Sequence, residues 1–68
     1  MESHFLTARE SEIFNLLSKK YDTVEISNML NISEKTVRNH ISNVIQKLGV
    51  KGRSQAIIEL VRMGVIKI

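Results

Sequence analysis

Polar side chains with hydrogen-bonding ends recur along the segment 35–46. They are Lys35, Arg38, Asn39, Ser42 and Gln46. If the segment is helical, at about 100° per residue, these side chains share one face. An apolar stripe lies opposite them, formed by Val37, Ile41, Val44, Ile45 and Leu48. Arg and Lys can donate to O6 and N7 of guanine, and Asn or Gln can pair bidentately with adenine. The spacing therefore predicts a helix that packs on one side and offers base-recognising groups on the other.

The charge of the chain is divided unevenly. The first 34 residues carry a net charge of −3 and the last 34 a net charge of +6, which together give +3. Between Lys35 and Arg53 there are five cations and no acid. Such a segment is typical of a surface that binds a polyanion, although a solvated helix face has the same charges. On the flanks of the predicted helix, Thr36, Asn43 and Lys47 can reach phosphates beside the groove.

Composition argues against catalysis and against a metal or cofactor site. The chain has 68 residues, no Cys, three aromatic residues and two histidines, His4 and His40. Two isolated histidines do not make a metal-ligand set, and so short a chain has little material for a catalytic pocket. We expect no enzyme, no catalytic residues, no metal and no cofactor, and we expect His40 to be packed or hydrogen-bonded. The apolar runs are too short to cross a membrane, and the absence of Cys suits a reducing, cytoplasmic setting.

Two helices are predicted in the first half of the chain. The spacing of Thr7 and Glu10 is that of a capping box and predicts a helix from about Ala8 to Ser18. Asp22 and Glu25 repeat that spacing before a short helix that stops near Asn31. Its apolar side is expected to consist of Val24, Ile26, Met29 and Leu30.

Two further helices are predicted in the second half. Ser33 is a suitable N-cap for the third helix, which we expect to run from about Ser33 to Leu48 and to end at Gly49. The fourth is expected from about Arg53 to Met63, with a packing side formed by Ala56, Ile57, Leu60 and Met63. The whole chain, residues 1–68, reads as one all-α domain. Its second and third helices, joined by a short turn, have the layout of a helix-turn-helix.

Two aliphatic side chains remain on the outer side of the fourth helix, Ile58 and Val61. The tail that follows adds Val65, Ile66 and Ile68. A domain of this size has a limited core, so such a patch suits self-association. We expect a dimer interface that includes Ile58, Val61 and Val65. The alternative is a tail that folds back onto its own core.

Several motifs, taken in order, resemble one known family. They are Leu6-Thr7-Ala8-Arg9-Glu10, Glu25-Ile26-Ser27, the stretch from Ile32 to Asn43, Gln46-Lys47-Leu48-Gly49-Val50, and Arg53-Ser54-Gln55-Ala56. This series is similar to the DNA-binding domain of the LuxR/GerE family of bacterial transcription regulators, and it covers nearly the whole chain. The chain most resembles the small stand-alone members found in spore-forming bacteria. Met1 directly before the domain agrees with a stand-alone protein.

The resemblance implies roles for particular side chains. The third helix would enter the major groove, with base-reading residues Arg38, Asn39 and Ser42. Backbone contacts would come from Lys35, Thr36, Lys47, Lys51 and Arg53. The fourth helix would pair with a second copy across a two-fold axis, and Glu10 would be structural, paired with a cation of the packed helices.

The sequence thus predicts a regulator that binds double-stranded DNA as a homodimer in the cytoplasm, associated with the nucleoid. RNA polymerase is a further candidate partner, and sporulation is a candidate context. The alternative is a small helical protein-interaction module that docks on the transcription machinery. Such a module would show no preference for one DNA sequence over another.

Overall fold

The computed structural model describes residues 5–67, and four α-helices account for most of them. They are α1 (Ala8–Ser18), α2 (Thr23–Leu30), α3 (Glu34–Leu48) and α4 (Arg53–Arg62). The described part of the chain contains no strand, so the predicted all-α class is confirmed. The predicted end of α4 is one residue too late, because Met63 is the C-cap. His4 and Ile68, both named above, lie outside the described residues.

Reciprocal capping boxes begin the first two helices. At α1, Thr7 Oγ1 accepts the Glu10 N–H at 3.1 Å, and Glu10 Oε1 accepts the Thr7 N–H at 3.0 Å. At α2, Asp22 Oδ1 accepts the Glu25 N–H at 2.8 Å, and Glu25 Oε1 accepts the Asp22 N–H at 2.9 Å. Each box satisfies two backbone N–H groups, one at the N-cap and one in the first turn. Both predicted helix starts are therefore confirmed.

A three-residue turn connects α2 to α3. Asn31 adopts the left-handed conformation, with φ 57° and ψ 45°, which reverses the chain after α2. The N–H of Ile32 donates to the carbonyl of Ser27 at 3.0 Å. Ser33 then caps α3 by accepting the Thr36 N–H at 3.0 Å. Because each of these residues is fixed by a local bond, the angle between α2 and α3 is set by the turn itself.

One apolar core holds the four helices together. Its buried members are Leu6, Ile13, Phe14, Ile26, Val37, Ile41, Val44, Ala56, Leu60 and Ile66. The expected apolar side of α2 is partly wrong, because Val24 and Met29 are 51% and 52% exposed. Met63 is also on the surface, at 49% exposed, although it was expected to pack. Around α2, Val24 lies about 160° and Met29 about 60° from the buried Ile26, so neither lies on the side that Ile26 buries. Met63 has the spacing of a buried position, but it is the C-cap that ends α4.

The described end of the tail folds back onto the core. Gly64 adopts φ 77°, and the Val65 N–H donates to the carbonyl of Leu60 at 2.9 Å. This bend brings Ile66 into the core, where it is 2% exposed, and leaves Val65 partly buried against it. The expectation that the tail joins an outward patch is therefore wrong for Ile66. Ile66 is therefore covered by the core of its own chain.

Candidate nucleic-acid interface

The outer face of α3 is a continuous polar surface on a firmly anchored helix. Its exposed members are Lys35, Arg38, Asn39, Ser42, Asn43 and Gln46. On the opposite side, Val37 and Val44 are 0% exposed and Ile41 is 2% exposed. Three buried aliphatic side chains, spaced by four and three residues, fix both the rotation and the depth of the helix. The predicted division of α3 into a packed face and a displayed face is confirmed.

The expected base-reading residues all lie on this displayed face. Within residues 5–67, Asn39 and Ser42 make no side-chain hydrogen bond, so their polar groups face solvent. Arg38 is also exposed, but its Nη2 donates to Glu34 Oε2 at 2.6 Å. Glu34 belongs to the first turn of α3. Arg38 and Asn39 lie in one turn of this exposed ridge and Ser42 lies in the next, as a helix in a groove requires.

Cations occur near both ends of the α3 face. Lys35 is exposed in the first turn, and Lys51 and Arg53 are exposed beyond the last turn. Lys35 and Lys47 are twelve residues apart, which is about 18 Å along a helix axis. The major groove is about 12 Å wide, so cations at this separation can reach the phosphates on its two sides. Thr36 is only partly exposed, and its hydroxyl lies 2.9 Å from Ser33 Oγ.

Lys47 has a structural role that limits its expected role at the DNA backbone. Its Nζ donates to Glu10 Oε1 at 2.6 Å and lies 3.4 Å from the carbonyl oxygen of Phe5. The Glu10 side chain is 5% exposed and that of Lys47 is 35% exposed. Burial raises the pKa of the Glu10 carboxyl, but hydrogen bonds from Lys47 and from the Thr7 N–H, together with nearby positive charge, lower the pKa below its ordinary value. Glu10 is thus paired with a cation across α1 and α3, and phosphate binding by Lys47 stays a prediction.

The three residues expected at a dimer interface are not equally accessible. Ile58 is 58% exposed on α4. Val61 and Val65 are partly buried and pack against the protomer's own core. An interface formed by α4 would therefore centre on Ile58, with Val61 and Val65 at its edge.

Sequence reasoning missed the interaction between Glu34 and Arg38. Glu34 is the hydrogen-bond partner of Arg38, one of the expected base-reading residues. Its spacing of four residues from Arg38 is the helical spacing at which an acid and a base meet. That signal was available in the sequence, but the bond that Glu34 also accepts from Thr23 of α2 was not.

Other sites find no support among the described residues. Residues 5–67 contain no group of three or more His, Asp or Glu side chains arranged to hold a metal ion. No helix in that range is long and apolar enough to cross a membrane. His40 is partly buried, and its Nδ1 is buried with no hydrogen-bond partner among the described residues. His40, which was expected to be packed or hydrogen-bonded, is thus packed, with its Nδ1 buried.

These features define a class of protein: a four-helix domain in which a helix-turn-helix presents a polar recognition face. A family model of luxR-type bacterial regulatory proteins matches residues 4–60. The spore germination protein GerE of Bacillus subtilis is 64% identical over 63 residues, which cover 93% of this chain and 85% of that protein. A structure of the transcription factor GerE superposes with a TM-score of 0.94 at 65% identity, covering 96% of this chain and 97% of that one.

A longer relative matches over one part of its length. The transcriptional regulatory protein DegU of Brevibacillus brevis is 45% identical over 65 residues, which cover 96% of this chain and 28% of that protein. The chain belongs to the luxR family of bacterial regulatory proteins. It is a GerE-type transcription regulator with a DNA-binding helix-turn-helix, and its family is one of regulators and not of enzymes.

Proposed function

We propose that the chain acts as a single DNA-binding domain, which places α3 in the major groove of double-stranded DNA and regulates transcription as a two-fold homodimer. The observation that carries the proposal is the exposed ridge of Arg38, Asn39 and Ser42 on a helix held by three buried aliphatic side chains. Arg38 would bind a guanine, and Asn39 and Ser42 would read neighbouring base edges. Lys35, Thr36, Lys51 and Arg53 would contact the DNA backbone, as would Lys47 where its pairing allows.

The dimer follows from α4. Ile58 is a large exposed apolar side chain on the outer side of that helix, and two copies related by a two-fold axis would cover each other's Ile58. Two recognition helices would then face half-sites about one helical turn, roughly 10 bp, apart. The DNA target makes the cytoplasmic nucleoid the proposed location. The relation to a spore germination protein supports sporulation as the proposed context.

Two substitutions separate base reading from backbone contact. Arg38→Ala should cost about 1–3 kcal/mol on the preferred site and weaken the preference for its guanine. Lys51→Ala, an exposed cation beyond α3, should weaken binding to all duplexes about equally and reduce the salt dependence by about one phosphate contact. The measurement is a salt series of binding isotherms on the preferred duplex and on a scrambled one. Equal losses on both duplexes for both variants would contradict the assigned roles.

A second surface, on α2, is a candidate contact with RNA polymerase. Val24 and Met29 are two apolar residues of α2 that are each about half exposed. We propose these exposed apolar side chains as the contact with the transcription machinery. Val24→Ser and Met29→Gln should leave DNA affinity unchanged and reduce the effect of the regulator in a reconstituted transcription reaction. An unchanged effect on transcription would contradict this role for α2.

A further inference from the structure

The expected guanine-binding residue is held by a chain of hydrogen bonds that begins in the core. Thr23, the first residue of α2, is 8% exposed, and its Oγ1 donates to Glu34 Oε2 at 2.8 Å. The same oxygen accepts from Arg38 Nη2 at 2.6 Å. Glu34 is partly exposed, and the Arg38 side chain is 61% exposed. A buried hydroxyl therefore fixes a carboxylate, which in turn fixes an exposed guanidinium.

This arrangement differs from the other exposed ion pairs among the described residues. Arg9 pairs with Glu12 on α1 at 3.2 Å, and Arg62 pairs with Glu59 on α4 at 3.1 Å. Within residues 5–67 neither of those carboxylates accepts a further side-chain hydrogen bond. Exposed pairs of this kind contribute little to stability. Among these three exposed pairs, only the Glu34 carboxylate also accepts a hydrogen bond from a second helix.

The geometry leaves the guanidinium free to bind a base. Arginine has five N–H donors in a rigid planar fork, and the pair with Glu34 uses one of them, at Nη2. The remaining donors can still form two bonds to a guanine. A guanidinium already held in one direction also loses less conformational freedom when it binds, which favours the base that matches that direction.

The Glu34 carboxylate also disfavours contacts with the DNA phosphates, which carry no sequence information. Glu34 lies in the first turn of α3, in direct contact with the guanidinium of Arg38 that would approach DNA. A negative charge there repels phosphates wherever the protein lies along the DNA. At the preferred site, the contact between Arg38 and a guanine offsets this unfavourable energy. Two unit charges about 4 Å apart in water interact by about 1 kcal/mol, which is roughly fivefold in affinity.

We infer that Glu34, anchored by Thr23, is a specificity-determining residue that positions Arg38 and suppresses non-specific DNA binding. The inference rests on the proposed function, because it assigns Glu34 a part in the same recognition face. It predicts that specificity can be lost without loss of affinity.

The test compares Glu34→Gln with Glu12→Gln, which makes the same charge change in an exposed pair on α1. Binding is measured on the duplex selected by the wild-type protein, on the same duplex with the guanine read by Arg38 replaced, and on a scrambled duplex. Glu34→Gln should bind the scrambled duplex about fivefold more tightly. It should also lose about three- to tenfold of the discrimination at the guanine, which is part of what a bidentate contact supplies. Glu12→Gln should change neither quantity.

A second variant separates the anchor from the charge. Thr23→Val removes the hydroxyl and keeps both the side-chain shape and the Glu34 charge. It should lower discrimination at the guanine while leaving scrambled-duplex affinity unchanged, and its thermal unfolding reports whether the fold is intact. The inference is overturned if Glu34→Gln and Glu12→Gln behave alike. A wild-type protein that binds all three duplexes equally would instead overturn the proposed function and this inference with it.

Discussion

The pair between Lys47 and Glu10 is expected to be a major stabilising contact between α1 and α3. Lys47→Met keeps the aliphatic stem but leaves a carboxylate that is 5% exposed without its cation. Removing one partner of a buried pair costs about 3–5 kcal/mol. Because the Lys47 side chain is 35% exposed, solvent screens the pair and we expect a smaller loss, about 2 kcal/mol. For a domain of this size that lowers Tm by roughly 10 °C.

A double-mutant cycle isolates the pair from the cap that shares Glu10. Glu10→Gln keeps an oxygen for the Thr7 N–H, so the capping box survives. The Lys47 ammonium can then be hydrated, and this single variant should lose only about 1 kcal/mol. With Lys47→Met as the second single variant, urea unfolding followed by helical circular dichroism should give a coupling energy of about 1–2 kcal/mol at neutral pH. A coupling below about 0.3 kcal/mol would refute the reasoning.

The stability measured for Lys47→Met also sets the conditions under which its DNA affinity can be compared with that of other variants. A variant that lowers both stability and affinity would mimic a lost phosphate contact if part of the protein were unfolded. Lys47→Met should therefore be compared with Lys51→Ala at a temperature at which both variants are fully folded. A smaller change of salt dependence for Lys47 than for Lys51 is the expected outcome, because Glu10 already neutralises Lys47.

Three further predictions concern stability and assembly. Because folding lowers the pKa of Glu10, the ionised carboxylate stabilises the fold at pH values above its ordinary pKa of 4.5, and this stability is lost as the pH falls through the folded pKa. The difference in unfolding free energy between wild type and Glu10→Gln should therefore narrow in acid, and a difference that stays constant in urea titrations would contradict this. Gly49→Ala should cost about 1 kcal/mol because φ is 69°, whereas Gly52→Ser, at an extended φ of −167°, should be neutral or slightly stabilising by thermal unfolding. Ile58→Glu should make the protein monomeric in sedimentation, whereas Val24→Glu, at a similarly exposed aliphatic position, should not; equal effects would argue against α4 as the interface.

The helices were largely predictable because their signals are local. Thr7 with Glu10, and Asp22 with Glu25, form bonds across three residues, so their spacing alone locates the helix starts. Gly49 ends α3 because a left-handed residue is needed there. These signals depend only on residues that are close in sequence, so they can be recognised without knowledge of the tertiary structure.

Predictions that depended on distant packing succeeded less well. Val24 and Met29 are apolar but lie about 140° apart around α2, so their residue types alone did not show which of them another helix covers, and both are about half exposed. The packing of the tail was equally open, because the sequence allows Ile66 to pack either against a second copy of the chain or against its own core. The partner of Glu10 lies 37 residues away and was expected only as an unspecified cation. On α3 the polar face was predicted well, because a helix fixes which side chains share a side.

Selection from a random duplex pool shows whether the exposed ridge of α3 reads a DNA sequence. The wild-type protein is incubated with the pool, and the recovered sequences are then bound alongside a scrambled control at two salt concentrations. If α3 reads the sequence, we expect paired half-sites about 10 bp apart and a preference of roughly 10³ or more over the control. Uniform binding that falls steeply with salt, or no recovered motif, would contradict it.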